Sequence, residues 1–364
     1  MAKNEIKVPR GKPRGTTVQK LNAIAAEPRG AEPVLTPRLA CLASKADSPT
    51  SLINFKIGCH VSIAGGVWNA PERASVLGCE TFQIFTRSPQ GGPAPELTAE
   101  VVEKFKSEMA RYGYSYSDGF YPFVVHCPYY INFGSGKPQT YHGSVSIVRG
   151  ELERTSLLGG QYVMFHTGSG KDLGKAKAIL QAQEGLKKVL DGYKGKAQLL
   201  IEIAAGAGEI LGDTFEEVAE LMAPLKKHPG FGGVCFDTQH AWASGYDVSK
   251  KDWIKQFDNA IGLEWLKMSH INDSKVELGS RKDRHEHIGE GMIGKKGMGG
   301  FLSVLSTSLP QKTLSTRRSG GPLLSREGET NNVLRSLPLI LETEHDKVKA
   351  DIKILKSLRD NLKK

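Results

Sequence analysis

Eight short apolar runs, each followed by a helix-length stretch, predict an α/β chain closed into a (β/α)8 barrel. Three observations support that class. The runs are almost continuously apolar and rich in β-branched and aromatic residues, as strands covered on both faces must be. The stretches between them carry helix signals. No G-x-G-x-x-G or Walker motif follows the first run, which argues against an open nucleotide-binding sheet.

In chain order, residues 1–51 come first, rich in Lys, Arg, Pro and Ala, as in Lys7-Val-Pro-Arg-Gly-Lys-Pro-Arg14. Such a segment buries too little apolar surface to offset its ordering entropy, so a disordered basic tail is expected there. An address signal, an extra contact to DNA and a plain solvated tail all fit its composition. The barrel domain then spans 52–364. Its eight runs are Lys56-Ile-Gly-Cys-His60, Thr81-Phe-Gln-Ile-Phe85, Phe123-Val-Val-His126, Tyr162-Val-Met-Phe-His166, Leu199-Leu-Ile-Glu-Ile203, Gly233-Val-Cys-Phe-Asp237, residues 265–271 and Leu339-Ile-Leu-Glu342. Between them, Thr214 with Glu217 fits a capping box, 176–190 reads as an amphipathic helix, and Ile352, Leu355, Leu358 and Leu362 mark one face of a closing helix. The polar stretch 312–336 has neither period and is expected to be a disordered insertion ahead of the eighth strand.

Composition sets outer bounds. A chain of 364 residues with 39% hydrophobic content can build one large barrel or two ordinary domains. The formal charge of +10 and pI near 9.2 point to a polyanionic partner. Cys41, Cys59, Cys79, Cys127 and Cys235 form no C-x-x-C pair, which reads as reduced core thiols in an intracellular protein. No apolar run approaches the roughly 20 residues of a membrane span, and no signal-peptide hydrophobic region is present.

The chemistry collects at the ends of the runs. Ser269-His-Ile-Asn-Asp-Ser274, continuing to Asp283-Arg-His285, holds two imidazoles and two carboxylates, groups costly to bury without partners. Strand after strand closes on such a residue: His126, His166, Glu202, Asp237, His270 and Glu342. In a (β/α)8 barrel those ends converge on the face where active sites lie, and the following loops add His240, Asp283 and His285. Taken singly, each has a plain structural explanation, such as a helix cap for Asp237. Six strand ends jointly do not. His with carboxylate and no thiolate suits a catalytic centre of two or three zinc ions, with Mn and Fe also compatible. Together with the basic charge, the set points to phosphoryl hydrolysis on nucleic acid.

Several blocks resemble one known family: Gly58-Cys-His-Val-Ser-Ile-Ala-Gly-Gly66, Val163-Met-Phe-His-Thr-Gly168, Cys235-Phe-Asp-Thr-Gln-His240 with Gly245-Tyr-Asp247, His270-Ile-Asn-Asp273, Gly279-Ser-Arg-Lys-Asp-Arg-His285 with Gly289-Glu-Gly291, and Leu339-Ile-Leu-Glu-Thr343. In this order they look like endonuclease IV, the zinc-dependent apurinic/apyrimidinic endonucleases, from about residue 56 onward. The resemblance implies a TIM barrel holding three zinc ions: His126, His166 and Glu202 on the first; Glu202, Asp237, His270 and Glu342 on the second; His240, Asp283 and His285 on the third. It makes Glu202 the catalytic bridge and implies a monomer that cuts duplex DNA 5′ to abasic sites and trims blocked 3′ ends. Tyr129 and Tyr130 match a position that enters the DNA, and Asn272, Arg281 and Lys282 are expected to contact phosphates.

Two stretches depart from the family. After Glu202 the chain reads Ile203-Ala-Ala-Gly-Ala-Gly208 where polar side chains are usual, which predicts weaker support for the metals. Arg87-Ser-Pro-Gln90 lacks the family's usual run in a DNA-inserting loop. Two other readings stand beside the endonuclease: a metal-dependent sugar isomerase or epimerase on the same barrel, and an abasic-DNA-binding protein with weakened catalysis. A repair enzyme of this kind is expected inside the cell, in the nucleus first if the source is eukaryotic, with the mitochondrion as the alternative.

Overall fold

The computed structural model describes residues 55–117, 119–308 and 337–362. The expected disordered tail at 1–51 and the insertion at 312–336 lie outside the described residues. Eight strands close a parallel barrel: β1 (Lys56–His60), β2 (Thr81–Ile84), β3 (Phe123–His126), β4 (Tyr162–Phe165), β5 (Gln198–Glu202), β6 (Phe231–Asp237), β7 (Leu266–His270) and, after a two-stranded insertion, β10 (Pro338–Leu341). The ring runs β1-β10-β7-β6-β5-β4-β3-β2, with β1 paired to both β10 and β2. Helices α1 (Ala70–Leu77), α2 (Ala99–Arg111), α3 (Pro138–Leu158), α4 (Lys175–Leu190), α5 (Phe215–Met222), α7 (Asp252–Ala260), α8 (Gly294–Ser308) and α9 (Val348–Asn361) lie between and after the strands. A short α6 (Thr238–Ala243) begins directly at the end of β6.

Each strand alternates its side chains between two apolar environments, as a period of two requires. Outward residues such as Ile57, Phe82, Phe123, Val163, Leu199, Phe236 and Leu339 pack in the large core beneath the helices. Inward residues Val124, Tyr162, Met164, Leu200, Cys235, Met268 and Ile340 form a separate cluster that fills the barrel. Gly58 faces the same interior on β1, where an added Cβ would lie 1.6 Å from the Thr81 carbonyl oxygen, so no side chain fits. The four described cysteines are free and buried.

Local signals explain most element ends. Thr98 caps α2 by accepting from the Val101 N–H, and Thr214 caps α5 by accepting from the Glu217 N–H. The expected capping box is only half formed, because the Glu217 carboxylate accepts from the Gly212 N–H instead of reaching back to Thr214. On α9, Ile352 and Leu355 are buried and Leu358 packs against the core, but Leu362 lies beyond the helix and is exposed. Arg359, one turn earlier, is buried instead, and its guanidinium donates to the Phe55 carbonyl and to Glu80. The 283–287 charge run is partly structured: β9 (His285–Glu286) pairs antiparallel with β8 (Asp273–Ser274). Among the described residues no helix is long and apolar enough to cross a membrane.

Glu80 joins the first strand to the last helix, accepting from the Ile57 N–H at 2.9 Å and from Arg359 at 2.6 Å. Burial pushes its carboxyl up, but Arg359, the Ile57 N–H and Lys356 together hold it below its ordinary value. A carboxyl depressed in the folded state stabilises above its unfolded pKa, and that contribution is lost as pH falls through the folded one. Glu80→Ala, which removes one of the carboxylates paired with a buried guanidinium, is expected to cost about 2–4 kcal/mol of unfolding free energy at neutral pH in urea titrations. The difference from wild type should narrow below about pH 4; a gap constant down to pH 3 would show that the ion pair is not its source.

Candidate metal centre

The strand alternation that fills the barrel also builds the site. Two residues beyond each inward apolar residue, the next inward side chain reaches the C-terminal rim: His126 after Val124, His166 after Met164, Glu202 after Leu200, Asp237 after Cys235, His270 after Met268 and Glu342 after Ile340. His166 and Glu342 stand one residue past their strands, still in phase. All six meet around Glu202. One of its oxygens lies 3.3 Å from both His126 Nε2 and His166 Nε2, and the other lies 2.8 Å from His270 Nδ1 and 3.4 Å from His240 Nδ1.

Three groups have donor atoms mutually within 4.8 Å: His126, His166 and Glu202; Glu202, Asp237, His270 and Glu342; and Asp237, His240 and His285. Asp283 joins the third group from its exposed side, 3.4 Å from His240 Nε2 and 3.3 Å from His285 Nε2. All nine sequence-predicted ligands therefore come together in one cup. Cys235 lies beneath it, grouped with Glu202 and His270, a neighbour that strand-end reasoning missed.

Two tests bear on whether cations fit here. Glu202 Oε2, His240 Nε2 and His285 Nε2 are buried without a hydrogen-bond partner, although orphaned polar atoms are rare and costly. The charges are also mutually dependent. Burial alone would push the Glu202 carboxyl up, but His270, His166 and His126 hold it well below its ordinary value. Burial pulls His270 and His126 down, and the surrounding acidic groups lift both above the usual imidazole range. A donor set that satisfies itself only by charging buried imidazoles suits replacement of those protons by metal ions.

The imidazoles are aimed by what lies behind them. His126 Nδ1 donates to the Cys127 carbonyl and His240 Nδ1 to the Ile203 carbonyl at 2.8 Å, which turns each Nε2 into the cup. The stretch Ile203-Ala-Ala-Gly206, poor in polar side chains, supports the site through its main chain: Ile203 orients His240, the Ala204 carbonyl accepts from Ser244, and the Gly206 carbonyl accepts from Arg281. The expected loss of support does not apply to His240, because its partner is a backbone carbonyl. His60 and Gln83, the inward residues of β1 and β2, complete the rim, and burial lowers the His60 pKa to about 3.

The residues expected to meet DNA divide. Tyr129 is 64% exposed and Tyr130 37% exposed beside His126, with the Tyr129 ring 5.3 Å from Phe85. Lys282 is exposed. Asn272 is instead fully buried: its Nδ2 donates to Asp237 at 2.8 Å and its Oδ1 accepts from the Glu342 N–H at 2.8 Å, so it positions two ligands and offers no surface to a phosphate. Arg281, with φ of 57°, turns its guanidinium onto the Gly206 carbonyl and Asp213 while its side chain stays 59% exposed. Arg87 likewise turns inward onto buried Glu151. Asp273, one of the four charged or imidazole groups that drew attention to its stretch, accepts from the N–H groups of Ser274, Gly289, Gly291, Ile293 and Gly294 and so ties down the loop after His285.

Comparison with known proteins places this architecture. A family model described as a xylose isomerase-like TIM barrel, AP_endonuc_2, matches residues 71–306. A probable endonuclease 4 from Halothermothrix orenii is 37% identical over 253 residues, covering 68% of this chain and 88% of the relative. The crystal structure of endonuclease IV from Thermus thermophilus superposes with a TM-score of 0.66 at 31% identity, covering 84% of this chain and 99% of that one. A D-tagatose 3-epimerase-like protein matches at a TM-score of 0.59 and 18% identity over 85% of this chain and 98% of its own, a likeness of fold alone. With the barrel, the rim of donors and these relatives in agreement, the chain belongs to the endonuclease IV family.

Proposed function

We propose that this protein is an abasic-site endonuclease, hydrolysing the phosphodiester 5′ to an abasic nucleotide in duplex DNA and trimming blocked 3′ ends, as a monomer with three zinc ions. The observation that carries the reading is the cup of nine His and carboxylate donors, three of whose buried atoms lack a hydrogen-bond partner. Membership of the endonuclease IV family supports it. So does the net charge of +10, since DNA affinity rests on phosphate neutralisation.

His126 and His166 would hold one ion with Glu202; Asp237, His270 and Glu342 a second, again with Glu202; and His240, Asp283 and His285 a third. When bound, the ions lower the pKa of water and stabilise charge on both oxygens of an in-line phosphoryl displacement. The protein's own residues prepare that centre. Glu202 presents one oxygen to His126 and His166 and the other to His270, the geometry a bridging carboxylate needs. Asn272 holds Asp237 and the Glu342 main chain in register, and the Ile203 carbonyl keeps the His240 proton away from the cup. Tyr129 projects from the rim as a surface on which a base or sugar beside the lesion can stack.

A sugar epimerase uses the same barrel, but the group around His240, Asp283 and His285, and the basic charge, favour a phosphodiester. Incision of an abasic-site duplex separates the readings: cleavage is expected with zinc and should stop in chelator, whereas sugar conversion without DNA cleavage would establish the rival. Binding of abasic duplex with no product after long incubation would mark a protein that recognises the lesion without cutting it.

Glu202→Gln should lower incision by about a thousandfold or more while the circular dichroism spectrum stays native; near-normal cutting would remove the bridging role. Returning zinc to chelator-treated protein should raise its thermal midpoint, because a ligand bound only by the folded state stabilises it. An unmoved midpoint would mean that the donors share no ion. Tyr129→Ala should weaken binding to abasic duplex by about 1–3 kcal/mol in gel shifts, and unchanged affinity would reduce Tyr129 to ordinary rim packing.

A further inference from the structure

Six of the eight strands carry, at their ends or one residue beyond, a side chain assigned above to the metal cup; the last inward residues of β1 and β2 are His60 and Gln83, to which no role has yet been given. Gln83 is fully buried and its amide is fully engaged. Its Oε1 lies 2.7 Å from His270 Nε2, and its Nε2 lies 2.6 Å from Glu342 Oε1 and 3.1 Å from His60 Nδ1. His60 in turn packs its ring on Phe85, with centroids 4.4 Å apart.

We infer that Gln83, oriented by His60, is a positioning residue that sets the tautomer of His270 and the direction of the Glu342 carboxylate, and so tunes affinity for the ion those two residues would hold. The inference rests on the metal reading of the cup. The direction of the amide follows from its partners. Glu342 as a carboxylate only accepts, so the NH2 side of Gln83 faces it, and the other N–H reaches His60 Nδ1. The carbonyl side is then left for His270, which must carry its proton on Nε2 to donate to it. That leaves Nδ1, the atom at which a cation would replace a proton, facing Glu202 at 2.8 Å, Glu342 at 3.3 Å and Asp237 at 3.8 Å.

Without the amide, the alternative tautomer gains. A proton on Nδ1 would make a good hydrogen bond to Glu202 Oε1 at 2.8 Å and would occupy the position a cation needs. A metal-bound imidazole depends on such a partner on its far nitrogen, and loss of the partner costs metal affinity. Glu342 would also lose the donor that fixes its Oε1, leaving its carboxylate with the 3.3 Å contact of Oε2 to His270 and the hold of Asn272 on its backbone.

The test uses the full chain with cobalt(II) as probe, read by visible absorption and by competition with a chelator. Gln83→Met, similar in length and apolar, should weaken one class of cobalt site about 10–100-fold and alter its absorption bands. The other cobalt sites should titrate as in wild type, and the thermal midpoint of the chelated protein should stay near the wild-type value. Should Gln83→Met fail to fold, His60→Phe keeps the ring on Phe85 and removes only the acceptor; a loss of about tenfold in the same class is then expected. Cobalt affinity and spectrum unchanged in the folded variants would overturn the role, as would a midpoint loss in chelator with cobalt binding intact, the mark of a merely structural glutamine. A wild-type protein that takes up no cobalt would instead sink the metal reading on which the inference stands.

Discussion

Closing eight parallel strands into a ring forces the inward side chain at the end of each into one small volume. Below that level, Val124, Tyr162, Met164, Leu200, Cys235, Met268 and Ile340 fill the volume with apolar atoms. At the rim the same positions carry His126, His166, Glu202, Asp237, His270 and Glu342, and no apolar layer separates them. Three carboxylates and several imidazoles cannot share so little space without counter-charge, because desolvation and like-charge repulsion both oppose it. The loop donors, the buried orphan atoms and the raised histidines are consequences of that confinement.

Confinement alone would leave the donors free to pair with one another in several ways. Direction comes from groups outside the cup: carbonyls of Cys127 and Ile203 for two imidazoles, Asn272 between Asp237 and the Glu342 main chain, and Gln83 behind His270. Asp273 and Arg281 fix the loops that bring Asp283 and His285 over the rim. Much of this scaffold is backbone, which is why a stretch as plain as Ile203-Ala-Ala-Gly206 sits beside the most charged part of the molecule. Small side chains there leave the carbonyls accessible to His240, Ser244 and Arg281.

How much of this was legible in the chain varies with the range of the interaction. The eight strands were readable because burial on both faces demands apolar runs, and their ends shifted by only one or two residues. The six rim donors were readable because charged and imidazole groups at strand ends are out of place in any core, and the three loop donors through the blocks that carry the family resemblance. Only Asn272 departs from its expected role: a polar residue beside a candidate donor reads as a surface contact until its burial is known, and Asn272 is fully buried. Gln83 and His60 escaped notice because a glutamine and a lone histidine carry no local signature. Placing them in the same inward phase as the ligands on the other six strands would have exposed both.

The amino-acid order by itself determined the barrel, the donor types and their places at the strand ends, since strand period and apolar patterning are local properties. It also carried the family resemblance, through blocks of residues in a set order. Tertiary structure alone decided which donors share a site, which nitrogen of each imidazole faces inward, and which polar neighbours serve the cup and not the solvent. Those outcomes depend on contacts between residues up to about 260 positions apart, as between Gln83 and Glu342, and no local pattern in a chain encodes a direction across a ring.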